Sequence, residues 1–290
     1  MVNFLKYKFI YFLISLFIIS AGLFSIVKWG YRYSIDFVGG TNMQYQLSKS
    51  VDLKKIKEII TSNKIETNDI EINNNVLSIK AKVVDEKTEV SFKKNLESKL
   101  NVEIIILRSE TVGPILGRET MTKTFIASLL AIVGILIYMS IAFKGFNYAL
   151  SAVLAMIHDF LVVVGSYSLM SHFYKAELDI MFVTAVLTTM SFSVHDTIVI
   201  FDKIREYLKD EGRGNIEYFA NKALTETMVR SLNNSMTIIF MLLALTLMGG
   251  ATIRFFIITL LIGTITGTYS SPFIATPILV WLEKKKHKNI

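Results

Sequence analysis

Long apolar runs, two of them broken by adjacent ionisable residues, constrain this chain more than any other feature. A bilayer-crossing helix needs about 20 mostly apolar residues. Six runs meet or approach that length: Phe9–Val27, Phe125–Phe143, Tyr148–Met170, Ile180–Phe201, Ser231–Met248 and Phe255–Trp281. In lipid every backbone polar group must be satisfied inside the chain, so such runs fold as helices. The third run contains His158 and Asp159, and the fourth contains His195 and Asp196. The sixth is long enough to tilt, or to bend near Pro272 and Pro277. Hydrophobic residues fill 52% of the 290 positions, more than a soluble domain usually carries. The first run is longer than the apolar core of a signal peptide and lacks a clear small-x-small cleavage site. It reads as an uncleaved anchor.

Lys and Arg in short loops set orientation. Lys6 and Lys8 precede the first span, and Lys144 separates the second from the third. Lys203, Arg205, Lys209, Arg213, Lys222 and Arg230 lie between the fourth and fifth, and Lys284, Lys285, Lys286 and Lys288 follow the sixth. With six spans these all fall on one side, whereas the opposite short loops carry only Lys175 and Arg254. Both termini are therefore expected in the cytoplasm. This topology accounts for the net charge of +7 without nucleic acid. The absence of cysteine excludes disulfides and thiol-ligated zinc.

The expected organisation has three parts: 1–27, the N-terminus and first span; 28–123, an external α+β domain; and 124–290, spans two to six with a cytoplasmic loop at 202–230 and a basic tail. Within that loop Asn215–Arg230 reads as an amphipathic helix leading into the fifth span, either along the membrane interface or as a plain linker, with Ile216, Phe219, Ala220, Ala223, Leu224 and Thr227 on one face.

The segment 28–123 is polar and shows two periods. Thr41–Leu47 alternates like a strand, and Val51–Asn63 places Leu53, Ile56, Ile59 and Ile60 on one helical face. Asp69–Ile72 and Val76–Lys82 read as a hairpin about Asn73, Asn74 and Asn75. Asp85–Leu100 reads as a second helix and Val102–Leu107 as a last strand. That order, β-α-β-β-α-β, predicts a ferredoxin-like arrangement. Two glycine motifs flank it: Ser34-Ile35-Asp36-Phe37-Val38-Gly39-Gly40-Thr41, and Val112-Gly113-Pro114-Ile115-Leu116-Gly117. Neither has the Lys and Ser/Thr of a phosphate loop, so tight turns are the expectation.

An ionisable residue within a span costs about 2.5–3.5 kcal/mol on insertion scales, so something must offset it. Asp196, Ser193 and Thr189 fall on one stripe of the fourth span, facing other helices. Arg230, at the start of the fifth span, is the expected partner of Asp196. The pair reads two ways: as a static clamp that lets both helices insert, or as a proton switch in which protonation of Asp196 releases Arg230. His158 and Asp159 lie deeper. They either extend a proton path or bond to nearby backbone and serines. His195 points about 100° from Asp196 on the helix. Gly263 and Gly267 make a small-xxx-small pattern for close helix contact, and Gly249-Gly250 a tight turn.

Taken together, these stretches resemble the SecD/SecF family of bacterial protein-export membrane proteins, on its SecF side. The likeness rests on Ile35–Thr41 and Val112-Gly113-Pro114. It continues in Asp196-Thr197-Ile198-Val199 through Glu206, in Arg230-Ser231-Leu232, in Gly249-Gly250 and in Leu261–Ser271. It runs in order along nearly the whole chain. The resemblance implies half of a resistance-nodulation-division transporter, located in the bacterial inner membrane. The implied partners are SecD as a separate chain, the SecYEG channel, YajC and a translocating unfolded polypeptide. It implies use of the proton-motive force, no cofactor and no enzymatic reaction. By the same resemblance Asp196 and Arg230 match the family's intramembrane charged pair, which favours the switch. His195 stands where the family usually has Asn, and histidine titrates near neutral pH. The competing readings are a proton-coupled small-molecule transporter subunit and a static stabiliser of the translocon. No ATP motif or hydrolytic constellation is present.

Overall fold

The computed structural model describes residues 3–142, 145–212 and 215–288. Phe143, Lys144 and Arg213, used above for span limits and orientation, lie outside the described residues. The elements run α1 (Lys8–Trp29), β1 (Arg32–Tyr33), α2 (Ile35–Val38), β2 (Gly40–Leu47), α3 (Leu53–Ser62), β3 (Thr67–Asn73) and β4 (Val76–Ala81). They continue with α4 (Glu86–Leu100), β5 (Ile104–Val112), α5 (Pro114–Ala142), α6 (Phe146–Tyr174) and β6 (Glu177–Leu178). Last come α7 (Ile180–Asp210), α8 (Ile216–Met248), α9 (Arg254–Ser270) and α10 (Thr276–Lys288). Two compact units result: Met1–Arg32 with Ala127–Ile290, and Tyr33–Ile126.

The first unit is helical. Among the described residues, six helices are long and apolar enough to cross a membrane: Phe4–Trp29, Pro114–Ala142, Phe146–Tyr174, Ile180–Asp210, Ile216–Met248 and Arg254–Lys286. α6, α7 and α9 form its centre, around buried Tyr148, Met156, Tyr167, Phe182, Met190 and Phe201. α1 exposes Phe9, Leu13 and Phe17, and α5 exposes Phe125, Leu130 and Ile137, an apolar surface suited to hydrocarbon.

Where helices meet, small residues let the backbones close up. A Cβ on Gly22 of α1 would lie 2.7 Å from the Cα of Gly165 in α6. A Cβ on Gly263 of α9 would lie 2.4 Å from the Cβ of Thr189 in α7, and one on Gly267 2.9 Å from that of Ser193. The small-xxx-small pattern thus works as a contact surface. Within the sixth span, Ser271–Ala275 form a π-turn through Pro272. Proline has no N–H to give the helix, and a π-turn absorbs the missing bond.

The amphipathic segment leads into the fifth span without a break: it is the first part of α8, which runs from Ile216 to Met248. Asn215 caps it by accepting from the Glu217 amide at 3.0 Å. No glycine or proline interrupts it before Gly249. Its apolar face, Ile216, Phe219, Ala220, Ala223, Leu224 and Thr227, is buried against protein.

The second unit is a four-stranded antiparallel sheet in the order β3-β4-β2-β5. α3 and α4 cover the face bearing Met43, Tyr45, Leu47, Leu77 and Ile79, burying Ile56, Ile60, Phe92 and Leu96 there. Asp52 and Asp85 cap the two helices. Thr88 donates to Asp85 from both hydroxyl and amide, holding this carboxyl below its usual pKa. Burial, reinforced by Glu89, pushes the Tyr45 hydroxyl above its ordinary range. Asn74 and Asn75 take left-handed backbone, as a two-residue hairpin turn requires. β5 runs to Val112, past the expected Leu107, because pairing with β2 continues to Gly40 opposite Val112.

Candidate functional site

Two groupings of polar residues lie at helix contacts of the membrane-spanning unit. The first surrounds α6. His158 and Asp159 are both buried, at 8% and 3% exposure, on α6. His158 Nδ1 lies 2.8 Å from Asp159 Oδ1, and His158 Nε2 lies 2.9 Å from Ser15 Oγ of α1. On the other carboxylate oxygen, Oδ2, the hydroxyl of Ser270 in α9 donates at 2.6 Å, and that of Ser193 in α7 donates as well. Four helices therefore converge on the His158–Asp159 pair. The glycines of α9 make this possible, because Gly267 gives Ser193 room to reach across.

Hydroxyls extend the cluster in two directions. Ser15 donates to the Tyr269 hydroxyl at 3.4 Å, and Tyr269 donates to the Tyr11 carbonyl at 2.8 Å. Towards α10, Thr197 and Ser271 hydroxyls lie 2.8 Å apart, and Thr276 donates to the Ser271 carbonyl at 3.0 Å. Such chains satisfy polar atoms that have no water to meet.

The second grouping is centred on Asp196. It is buried on α7, on the stripe with Thr189 and Ser193 that the sequence indicated. Its carboxylate accepts from the Ser231 hydroxyl of α8 at 2.7 Å. The expected ion pair with Arg230 is not formed, which corrects the reading above: Arg230 is exposed and has no ion pair among the described residues. Successive residues on a helix point about 100° apart, so Ser231 and Arg230 cannot both face α7. The shorter side chain occupies the contact. His195 is likewise exposed while its neighbour Asp196 is buried, as the helical angle predicts.

The glycine motifs meet within the second unit. Ser34 caps α2 by accepting from the Asp36 amide at 3.2 Å, and Phe37 is buried. Gly39 has φ +77°, and a Cβ there would sit 2.7 Å from the Cα of Pro114. Gly117 packs equally close on the Gly39 amide nitrogen. The two motifs are therefore one junction. Gly113 has open space around it, so packing does not demand glycine there. Gly249 closes α8, its amide donating to the Leu245 carbonyl at 2.7 Å, and Gly250 follows in open space.

Sequence reasoning did not single out Ser15 or Ser231, and it read Ser270 as packing. For Ser15 the available signal was a hydroxyl inside an otherwise apolar run; for Ser231, its place beside Arg230. Among the described residues no group of three or more His, Asp or Glu gathers to hold a metal.

A helical membrane unit with buried carboxylates at its helix contacts, carrying an inserted α+β unit, defines a polytopic membrane protein of a specific kind. The family model for the C-terminal region of protein export membrane proteins SecD/SecF matches residues 91–285, and that for the SecD/SecF GG motif matches residues 32–51. The chain belongs to the SecD/SecF family. Its relatives include a protein translocase subunit SecF of Thermobaculum terrenum, 38% identical over 100% of this chain and 96% of that one. Another, of Calditerrivibrio nitroreducens, is 37% identical over 99% and 96%. The solved structure of SecDF from Thermus, described as a translocon-associated membrane protein, superposes with a TM-score of 0.85 at 25% identity. That match covers 98% of this chain and 39% of the solved one, so this chain spans well under half of that protein.

Proposed function

We propose that this chain is a SecF-type subunit of the Sec translocase. It pairs with a separate SecD chain and uses the proton-motive force to promote translocation and release of unfolded polypeptide outside the membrane. The SecYEG channel and YajC are the further partners of this reading. The membrane is the bacterial inner membrane, with both termini cytoplasmic and 28–123 outside, as the Lys and Arg distribution indicates. The external unit is read as ferredoxin-like, supported by its β-α-β-β-α-β order and antiparallel sheet. Asp196 and Arg230 are the proposed coupling residues, with Asp159, His158 and His195 alongside.

The observation that carries the reading is Asp196 itself. A buried carboxylate at an α7–α8 contact, with a single hydroxyl donor, keeps acceptor capacity for a proton or a mobile Arg230. The same serine bond also favours the static-stabiliser reading, because Asp196 is satisfied without a counter-charge. Export of an unfolded client into inverted membrane vesicles separates them. ATP is saturating, the proton gradient is switched on or off, and wild type is compared with Asp196→Asn at equal membrane level and intact SecD binding. A gradient response confined to wild type supports coupling; equal responses leave Asp196 a structural group.

A further inference from the structure

The His158–Asp159 pair is separate from Asp196 in its partners, and its geometry does more than solvate a charge. We propose that it is a second proton-binding site, built wholly inside this chain, which clamps α7 and α9 onto α6 when Asp159 is ionised and loosens them when it is protonated. This rests on the proton-coupled reading above and deepens it.

The charge state is adjustable from within. With His158 protonated the pair is neutral; with His158 neutral it holds one negative charge in a sealed position. No Lys or Arg forms an ion pair with Asp159 among the described residues. Facing the pair are Tyr269 of α9, which reaches it through Ser15, and Tyr11 of α1, whose carbonyl accepts from Tyr269. From α7 only Ser193 touches it, because His195 is exposed and Asp196 bonds to Ser231. Glu283 of α10 is held by Asn147 at the start of α6, at 2.7 Å.

The clamp follows from who donates. Ser193 and Ser270 both donate to Oδ2, from two different helices. A hydroxyl bond to an ionised carboxylate is about twice as strong as one to a neutral group. A proton on Oδ2 makes that oxygen a donor, so one serine hydroxyl must turn its hydrogen to another acceptor. Ser270 has a second acceptor ready, the Gly267 carbonyl at 3.3 Å, and Ser271 divides between the carbonyls of Ser193 and Gly267, each at 3.3 Å. These hydroxyls therefore have two arrangements open to them. The π-turn begins at Ser271, where α9 ends, and a π-turn is a place where a helix can change its winding. Ser193 stands one turn before Asp196 and Thr197 on α7. A shift released at the dyad is thereby delivered to the Asp196 contact with α8.

The test reads protonation directly. The full chain with SecD, in lipid vesicles, is titrated through the neutral range, and the protonated-carboxyl stretch is followed by infrared difference spectroscopy. Two titrating bands are expected, one lost in Asp196→Asn and the other lost in Asp159→Asn. Ser193→Ala removes one bond to the ionised form and raises the proton affinity of the second band about tenfold, equivalent to about 1.4 kcal/mol. Ser193→Ala and Ser270→Ala keep the carboxylate and carry the test if Asp159→Asn does not fold. Absence of a titrating band that depends on Asp159, or a midpoint unmoved by both serine variants, overturns the proposal. The readout needs no export: a titrating Asp159 band alongside gradient-independent export would sink the functional reading and leave the site standing.

Discussion

Asp159 and Asp196 are both carboxylates buried in the same helical unit, and they are satisfied in opposite ways. Asp159 accepts from His158, Ser193 and Ser270, which come from three helices, with Ser15 of a fourth behind the histidine. Among the described residues Asp196 accepts a side-chain hydrogen bond from Ser231 alone, with Arg230 and His195 exposed beside it. A carboxylate can accept about four hydrogen bonds. The first is nearly saturated by its own chain, so it holds helices together. The second keeps capacity unused, so it is where a partner helix, an ion or a moving arginine has something to gain.

The largest test of this contrast is removal of each carboxyl. Asp159→Ala leaves His158, Ser193 and Ser270 without their acceptor, and is expected to cost about 3 kcal/mol or more. Asp196→Ala orphans one hydroxyl and costs about 1 kcal/mol. Equal losses in detergent unfolding would erase the distinction. Next comes the glycine seam that delivers Ser193 to Asp159. Gly263→Val forces branched carbon into Thr189, and about 3 kcal/mol is expected to be lost through overpacking, with lowered membrane levels as the readout. Gly134→Val, where nothing lies within 4 Å, is the control that stays near wild type.

The comparison extends to the inserted α+β unit, where strain sets the larger effect. Gly39→Ala places a side chain at positive φ against Pro114, and a loss of about 2 kcal/mol is expected. Faster amide exchange across β2 and β5 would register it. The smallest effect belongs to Asp85, whose carboxyl is held low by Thr88. Its stabilisation is present above the unfolded carboxylate pKa and fades as pH falls through the lower folded value. The stability gap between wild type and Asp85→Ala therefore closes on acidification, and a gap that widened would contradict the capping role.

Much of this was readable beforehand, and the reasons differ by region. In the inserted α+β unit, alternation in Met43, Tyr45 and Leu47, and three- and four-residue spacing in Ile56, Ile59 and Ile60, report burial directly because one face of each element is polar and exposed. The end of β5 escaped because Arg108–Thr111 carry no such alternation; only pairing with β2 extends it. In the membrane unit apolar residues lie on every side, so period says little about which face is inside. The stripe of Thr189, Ser193 and Asp196 was legible because polar atoms avoid hydrocarbon. Its partners were not, since Ser15, Ser231 and Ser270 lie far away in sequence or look like ordinary packing.

By itself the sequence determined the number of membrane helices, the presence of an inserted α+β unit, the family, and which residues had to be shielded from lipid. Those follow from local properties, run length and period, which the solvent on each side enforces. Only the tertiary structure decided who shields whom. It gave Ser231 rather than Arg230 to Asp196, and tied His158 and Asp159 to three other helices. The physical reason is reach. A hydrogen bond forms over about 3 Å, while one residue along a helix turns a side chain by about 100°, so partner choice depends on how whole helices are rotated against each other.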